Sequence, residues 1–368
     1  MFSQRIVATY HVDSDASRIA DRAKSLAIEQ SVECPLEAVP DPELLETIVA
    51  RVEDIAELTA GRFAVRIGLA SATAPAEPGQ LMNMLFGNSS IQQDVVLADV
   101  ELPEAYLHAF GGPRVGLAGI RALTGAYDRA MTASALKPQG LSPDALAGIA
   151  RQLALGGVDL IKDDHGLADQ AYSPFAARAV AVGRAVREAN ATTGGRTIYA
   201  PNISGTLDDM RRQLDVIRTE AIGGLLVAPM IVGLSNFHAI VKEADGLVVV
   251  AHPALAGAAR IAPPLLLGRM FRLLGADATV FPNFGGRFSY TADTCLALAG
   301  AARNPWAGLK SCIPMPAGGI HVDRIAELLQ FYGQDVMLLI GGGLLAARER
   351  LTEEASQFVM KVAAHGKG

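Results

Sequence analysis

VDLIKDDHGLADQAYSPFAARAVAVGRAVREAN, residues 158–190, holds one strand and one helix in that order. Residues 158–162 form a short apolar run, as in a strand buried on both faces. From 175 to 190 the apolar residues recur at helical spacing. The same unit repeats on either side. Strand-like runs lie at 130–136, 158–162, 197–201, 224–229, 246–251, 278–281, 310–314 and 336–340, and helical stretches such as 142–155, 175–190, 206–220 and 322–332 follow them. Eight strand–helix units in about 240 residues are the count that closes a (β/α)8 TIM barrel. A doubly wound open sheet is the competing arrangement of the same α/β pattern.

Upstream the pattern is different. RIVATYHV (5–12) alternates and is rich in β-branched residues, so it reads as a strand. Asp13 to Asp15 offer a cap for a helix running to about Glu29. The region 43–58 reads as helix or strand, FAVRIGLASA (63–72) as a strand, EPGQLMNMLFG (77–87) as a short helix, and DVVLADVEL (94–102) as the strand that closes a sheet. Helices covering one face of an antiparallel sheet fit this order. We therefore expect a ferredoxin-like α+β domain over 1–125 and the barrel over 126–368.

Composition narrows the function. Half of the 368 residues are hydrophobic, enough for a large core, and the net charge of −6 argues against nucleic-acid or membrane-surface partners. No apolar run reaches the ~18 residues of a transmembrane helix. MFSQRIVATYHVDSDAS lacks a basic region followed by an apolar core, so the expected location is cytoplasmic. Cys34, Cys295 and Cys312 are too few and too scattered for a disulfide framework or a zinc site and read as idle thiols.

In a barrel, chemistry sits at the C-terminal strand ends. Those ends carry Lys137-Pro138, Lys162-Asp163-Asp164-His165, Pro201-Asn202, His252-Pro253, Gly318-Gly319 and Gly341-Gly342-Gly343. Strand alternation puts Lys162 and Asp164 on one side and Asp163 on the other. Lys162, Asp164 and His165 make a candidate metal site, provided carbon dioxide converts the lysine to an anionic carbamate suited to Mg²⁺. The structural alternative is a buried Lys–Asp pair beside a surface histidine. The two glycine loops follow strands seven and eight, where barrels bind phosphate through backbone N–H groups; ordinary tight turns are the alternative. Lys137 and His252 are candidates for proton transfer, with a hydrogen-bonded structural role as the alternative for His252. Asn202 joins this set as a strand-end polar residue.

Several motifs in order over nearly the whole chain resemble the RuBisCO large subunit: Asn88 within LFGNSSIQ, FGGPRVGLAGIRALTG (110–125), Leu136-Lys137-Pro138, GGVDLIKDD (156–164), Pro316-Ala317-Gly318-Gly319-Ile320-His321 and IGGG (340–343). AHPALAG (251–257), LLLGRMFRLLGAD (265–277) and VFPNFGG (280–286) are similar to the non-carboxylating RuBisCO-like branch that includes enolases and isomerases of methionine salvage. The resemblance implies that Lys162 is the carbamylated lysine and Asp164 a metal ligand, with His165 where the family has a glutamate ligand. It implies proton transfer at Lys137, a conserved histidine at His252, and phosphate loops at Gly318, Gly319, Gly341 and Gly342. Asn88 matches an asparagine that reaches the partner subunit's site, which implies a homodimer. The departures are Gln139, Pro253 and a strand-six loop whose one cation is Arg287; they remove cations that carbon fixation needs. The enolase branch's base lysine is also missing, with Gln92, Gln93 and Asp94 in its place. The expectation is metal-assisted enolisation and isomerisation of a phosphorylated ketose such as 5-methylthioribulose 1-phosphate. The alternatives are decarboxylation or carbon–carbon cleavage of a phosphorylated 3-oxo sugar acid, and a non-catalytic regulatory role.

Overall fold

A computed structural model describes residues 5–288 and 290–366. The chain divides into two compact units, 1–111 with 255–266, and 112–254 with 267–368.

In the first unit, β1 (Arg5–Asp13), β2 (Arg51–Thr59), β3 (Arg62–Ala70) and β4 (Val95–Glu101) form an antiparallel sheet in the order β2-β3-β1-β4. Helices Ile19–Glu29 and Pro78–Phe86 make the connections between β1 and β2 and between β3 and β4, which is the ferredoxin-like order. Period-two burial drives it: Ile6, Ala8, Tyr10 and Val12 of β1, and Phe63, Val65, Ile67 and Leu69 of β3, are buried on one face. The expected cap by Asp13 to Asp15 does not form. Asp13 still belongs to β1, and the first helix starts at Ile19 behind Arg18, with no side-chain cap. The segment 255–266 joins this unit because Ile261 bridges to Leu97 of β4.

The second unit is a TIM barrel. Its strands are β5 (Met131–Leu136), β6 (Leu160–Asp163), β7 (Ile198–Ala200), β8 (Gly224–Val227), β9 (Val248–Ala251), β10 (Ala278–Pro282), β11 (Ile313–Ala317) and β12 (Met337–Leu339). They pair in parallel as β12-β5-β6-β7 and β8-β9-β10-β11. An Asn202–Leu226 bridge joins β7 to β8, and β11 lies beside β12. Alternate residues of all eight strands, from Met131 and Ala133 round to Met337 and Leu339, fill one apolar interior. Helix Gly116–Thr124 packs with this core through Ile120 and Leu117, and Asp277 accepts hydrogen bonds from the amides of Val115 (2.9 Å) and Gly116 (2.7 Å) at its start. Among the described residues no helix is long and apolar enough to cross a membrane.

Candidate active site

The alternation that fills the barrel also delivers polar side chains to its mouth. Stepping by twos along β5, Met131 and Ala133 lead past Ala135 to Lys137. On β6, Leu160 leads to Lys162 and then Asp164. On β7, Ile198 and Ala200 lead to Asn202, and on β9, Val248 and Val250 lead to His252.

These strand ends converge. Lys137 Nζ forms an ion pair with Asp164 Oδ1 at 2.5 Å, and His165 Nδ1 lies 3.4 Å from the same oxygen. The rings of His165 and His252 stack, with centroids 4.1 Å apart and planes 12° from parallel. Residues of three strand ends thus form one contiguous group. Lys162 is 3 % exposed and donates to the backbone carbonyl of Asp163 at 3.0 Å. The ion-pair partner of Asp164 is therefore Lys137, whereas the structural alternative drawn from the sequence paired it with Lys162.

Burial governs the charges. It pushes Lys162 down to about 8, with the nearby Lys137 cation adding to the effect against the pull of Asp164. Burial alone would raise the Asp164 carboxyl. Hydrogen bonds from His165 and Lys137, and the Lys137 and Lys162 cations, outweigh it and hold Asp164 far below the usual carboxylate range. His252 is held far below its ordinary value by burial first and then by Lys162 and His165. It is therefore neutral. Its Nδ1 accepts from the Ala254 amide at 3.1 Å, which assigns its proton to Nε2. His252 thus presents an N–H donor.

The glycine loops differ from each other. Gly318 and Gly319 have φ of +86° and +99°, and a Cβ on them would stand 3.1 Å from the Phe288 ring and 3.2 Å from the Arg287 amide. The strand-six loop lies on them, with Arg287 N–H donating to Gly318 O at 3.0 Å. Their need for glycine is therefore explained by packing. Gly342 has room, since a Cβ there meets nothing within 4 Å. It opens the turn Gly342–Leu345, whose first amides have no acceptor within the turn. The two loops are neighbours, because a Cβ on Gly343 would lie 3.5 Å from Ile320 O.

Asn88 belongs to the other unit, where its Nδ2 donates to Glu33 Oε1 (2.6 Å) and Glu29 Oε1 (3.2 Å). Asn202 turns its amide to the loop after β6, donating to the carbonyls of His165 (3.2 Å) and Leu167 (2.7 Å). Sequence reasoning missed Arg178. This fully buried arginine donates from Nε to Asp163 Oδ2 at 2.9 Å, on the helix side of β6. The signal was available: Arg178 shares a helix face with Val182, Ala185 and Ala189, all buried.

Among the described residues no three His, Cys, Asp or Glu side chains cluster to hold a metal ion. The side chains expected to hold a cation at this mouth are Lys162, as a carbamate, with Asp164 and His165. The group fits that role: the amine is buried and its pKa is lowered, the carboxylate beside it is ionised, and an imidazole nitrogen lies within reach of that carboxylate.

The model of the ribulose bisphosphate carboxylase large chain, catalytic domain, matches residues 116–349. The ribulose bisphosphate carboxylase-like protein 1 of Rhodopseudomonas palustris is 66% identical over 365 residues, 99% of each chain. The 5-methylthioribulose-1-phosphate isomerase of Rhodospirillum rubrum is 56% identical over 362 residues, 98% of this chain and 97% of that one. Among solved structures, a Rubisco-like protein from Rhodopseudomonas palustris superposes with a TM-score of 0.94 at 74% identity, covering 100% of this chain and 99% of that one.

Proposed function

The chain belongs to the RuBisCO large-chain family, and we propose that within it the protein is an isomerase of phosphorylated ketoses, with 5-methylthioribulose 1-phosphate as substrate. One observation carries this reading: Lys137, Asp164, His165 and His252 meet in a single group at the barrel mouth. The extent of the likeness to the Rhodospirillum rubrum isomerase supports the choice of substrate.

Isomerisation takes a proton from the carbon beside a carbonyl and returns one to the neighbouring carbon. Lys162, Asp164 and His165 would hold a divalent ion such as Mg²⁺, once Lys162 has become a carbamate. In that conversion the neutral amine adds to carbon dioxide, a nitrogen–carbon bond forms and one proton leaves. When bound, the ion supplies Lewis-acid stabilisation of the developing oxyanion. His252 donates its Nε2 proton in a hydrogen bond to a substrate oxygen. Lys137, half-exposed at the mouth, takes the proton from one carbon as the neutral amine and, as the ammonium so formed, returns it to the neighbouring carbon. The amides of Gly318, Gly319, Gly341 and Gly342 hold the phosphate.

The test is turnover of 5-methylthioribulose 1-phosphate in heavy water, with Mg²⁺ and bicarbonate, followed by NMR. Conversion with deuterium at the exchanging carbon is expected. A substrate left unconverted and unlabelled would overturn the reading.

A further inference from the structure

The loop after β6 carries Asp164 and His165, and side chains hold it from behind. Four consecutive carbonyls each accept a side-chain N–H: His165 and Leu167 from Asn202 Nδ2, Gly166 from Gln170 Nε2 at 2.7 Å, and Ala168 from Arg178 Nη2 at 2.7 Å. At the far end of the loop, Arg178 Nη1 donates to Ser173 O at 2.6 Å. Asp163 ties these donors together. Its Oδ2 accepts from Arg178 Nε and from the backbone N–H of Asn202 (3.1 Å), and its Oδ1 accepts from the Tyr199 hydroxyl (2.8 Å).

Asp163, Arg178, Tyr199 and Asn202 at the centre of this network are buried. Two carbonyls in front of Asn202 fix its side chain with nitrogen toward them. Among the described residues, no donor then reaches its buried Oδ1. The network directs its side-chain donors to the backbone of this loop. What it fixes is the backbone of His165, whose ring lies flat on His252.

We propose that Asn202 and Arg178 are positioning residues: by holding the carbonyls of 165–168 they set the His165–His252 stack before any ligand arrives. Asn202 acts through His165 and not on the substrate. The inference rests on the active site proposed above, because His165 belongs to that group.

The experiment compares wild type with Asn202→Ala and with Asn202→Asp, which keeps the shape and removes both donors. NMR of histidine-labelled protein reads the ring-current shifts of the stacked imidazoles and needs no substrate. Both variants should lose those shifts. With 5-methylthioribulose 1-phosphate, kcat should fall about tenfold while KM changes less than about threefold. Retained ring shifts and unchanged kcat, with only a lower melting temperature, would overturn the proposal. If neither variant folds, Gln170→Ala releases the Gly166 carbonyl and the Ala168 amide, which donates to Gln170 Oε1 at 2.8 Å, and is read in the same way. If wild type turns nothing over but the variants lose the stack, the positioning role stands and the proposed reaction falls.

Discussion

An amine adds carbon dioxide only after it loses its proton, and the barrel eases that step at Lys162. Its pKa falls from 10.5 to about 8, because burial disfavours the ammonium form. About half of the side chain is then neutral near pH 8, and about a tenth near pH 7. With ¹³C-bicarbonate and Mg²⁺, a carbamate signal in ¹³C NMR should grow as pH rises from about 7 to 9, and Lys162→Met should abolish it. A signal that survives in Lys162→Met, or none at pH 9, would refute the assignment. The sign for stability follows from the same shift. The unfolded chain binds more protons than the folded one between about 8 and 10.5. The cost of burying this lysine is therefore present below that window and is relieved as pH rises through it.

Two elements, the glycine loops after β11 and β12, look alike in sequence and have different demands. Gly318 and Gly319 serve the packing of residues 286–288, so changing them disturbs structure whatever binds there. Gly342 faces open space, which makes it the clean probe. Gly342→Asp should leave the melting temperature unchanged and raise KM by at least about tenfold, since a carboxylate repels a phosphate and a charged hydrogen-bonding site contributes ~1.5–3 kcal/mol. An unchanged KM would reduce that loop to a turn. The strands themselves were legible, because burial on both faces leaves unbroken apolar runs, and stepping by twos from those runs reaches Lys137, Lys162, Asn202 and His252. The seventh strand came later than its apolar pattern suggested, at Ile313–Ala317, because Leu309 is still held in a turn by Trp306 O and Cys312 bonds to Ala302 O. The clamp on the β6 loop was not legible. The helix face of Arg178 marks it as buried but does not reveal the loop carbonyls it holds, and stacking of His165 on His252 joins side chains of different strands that no local spacing connects.

At the scale of the whole molecule, the candidate catalytic side chains all belong to the barrel unit, and Asn88 belongs to the other. Asn88 is exposed and held in place by Glu29 and Glu33 of its own unit. We propose a homodimer in which Asn88 of one subunit completes the site of its partner, as the family resemblance implies. Sedimentation should then give twice the chain's 38.5 kDa. The decisive measurement mixes two damaged proteins. Lys162→Met should be inactive, and Asn88→Ala should lose most of its activity. After dissociation and reassociation at equal amounts, half of the dimers are hybrids. In each hybrid one site joins an intact Asn88 to an intact Lys162, and the other site carries both changes. One active site in two, in half of the dimers, returns about a quarter of wild-type activity. If every chain completes its own site, mixing returns nothing beyond the sum of the parts. Hybrids detected by native mass spectrometry without recovered activity, or an Asn88→Ala variant as active as wild type, would therefore exclude the shared site.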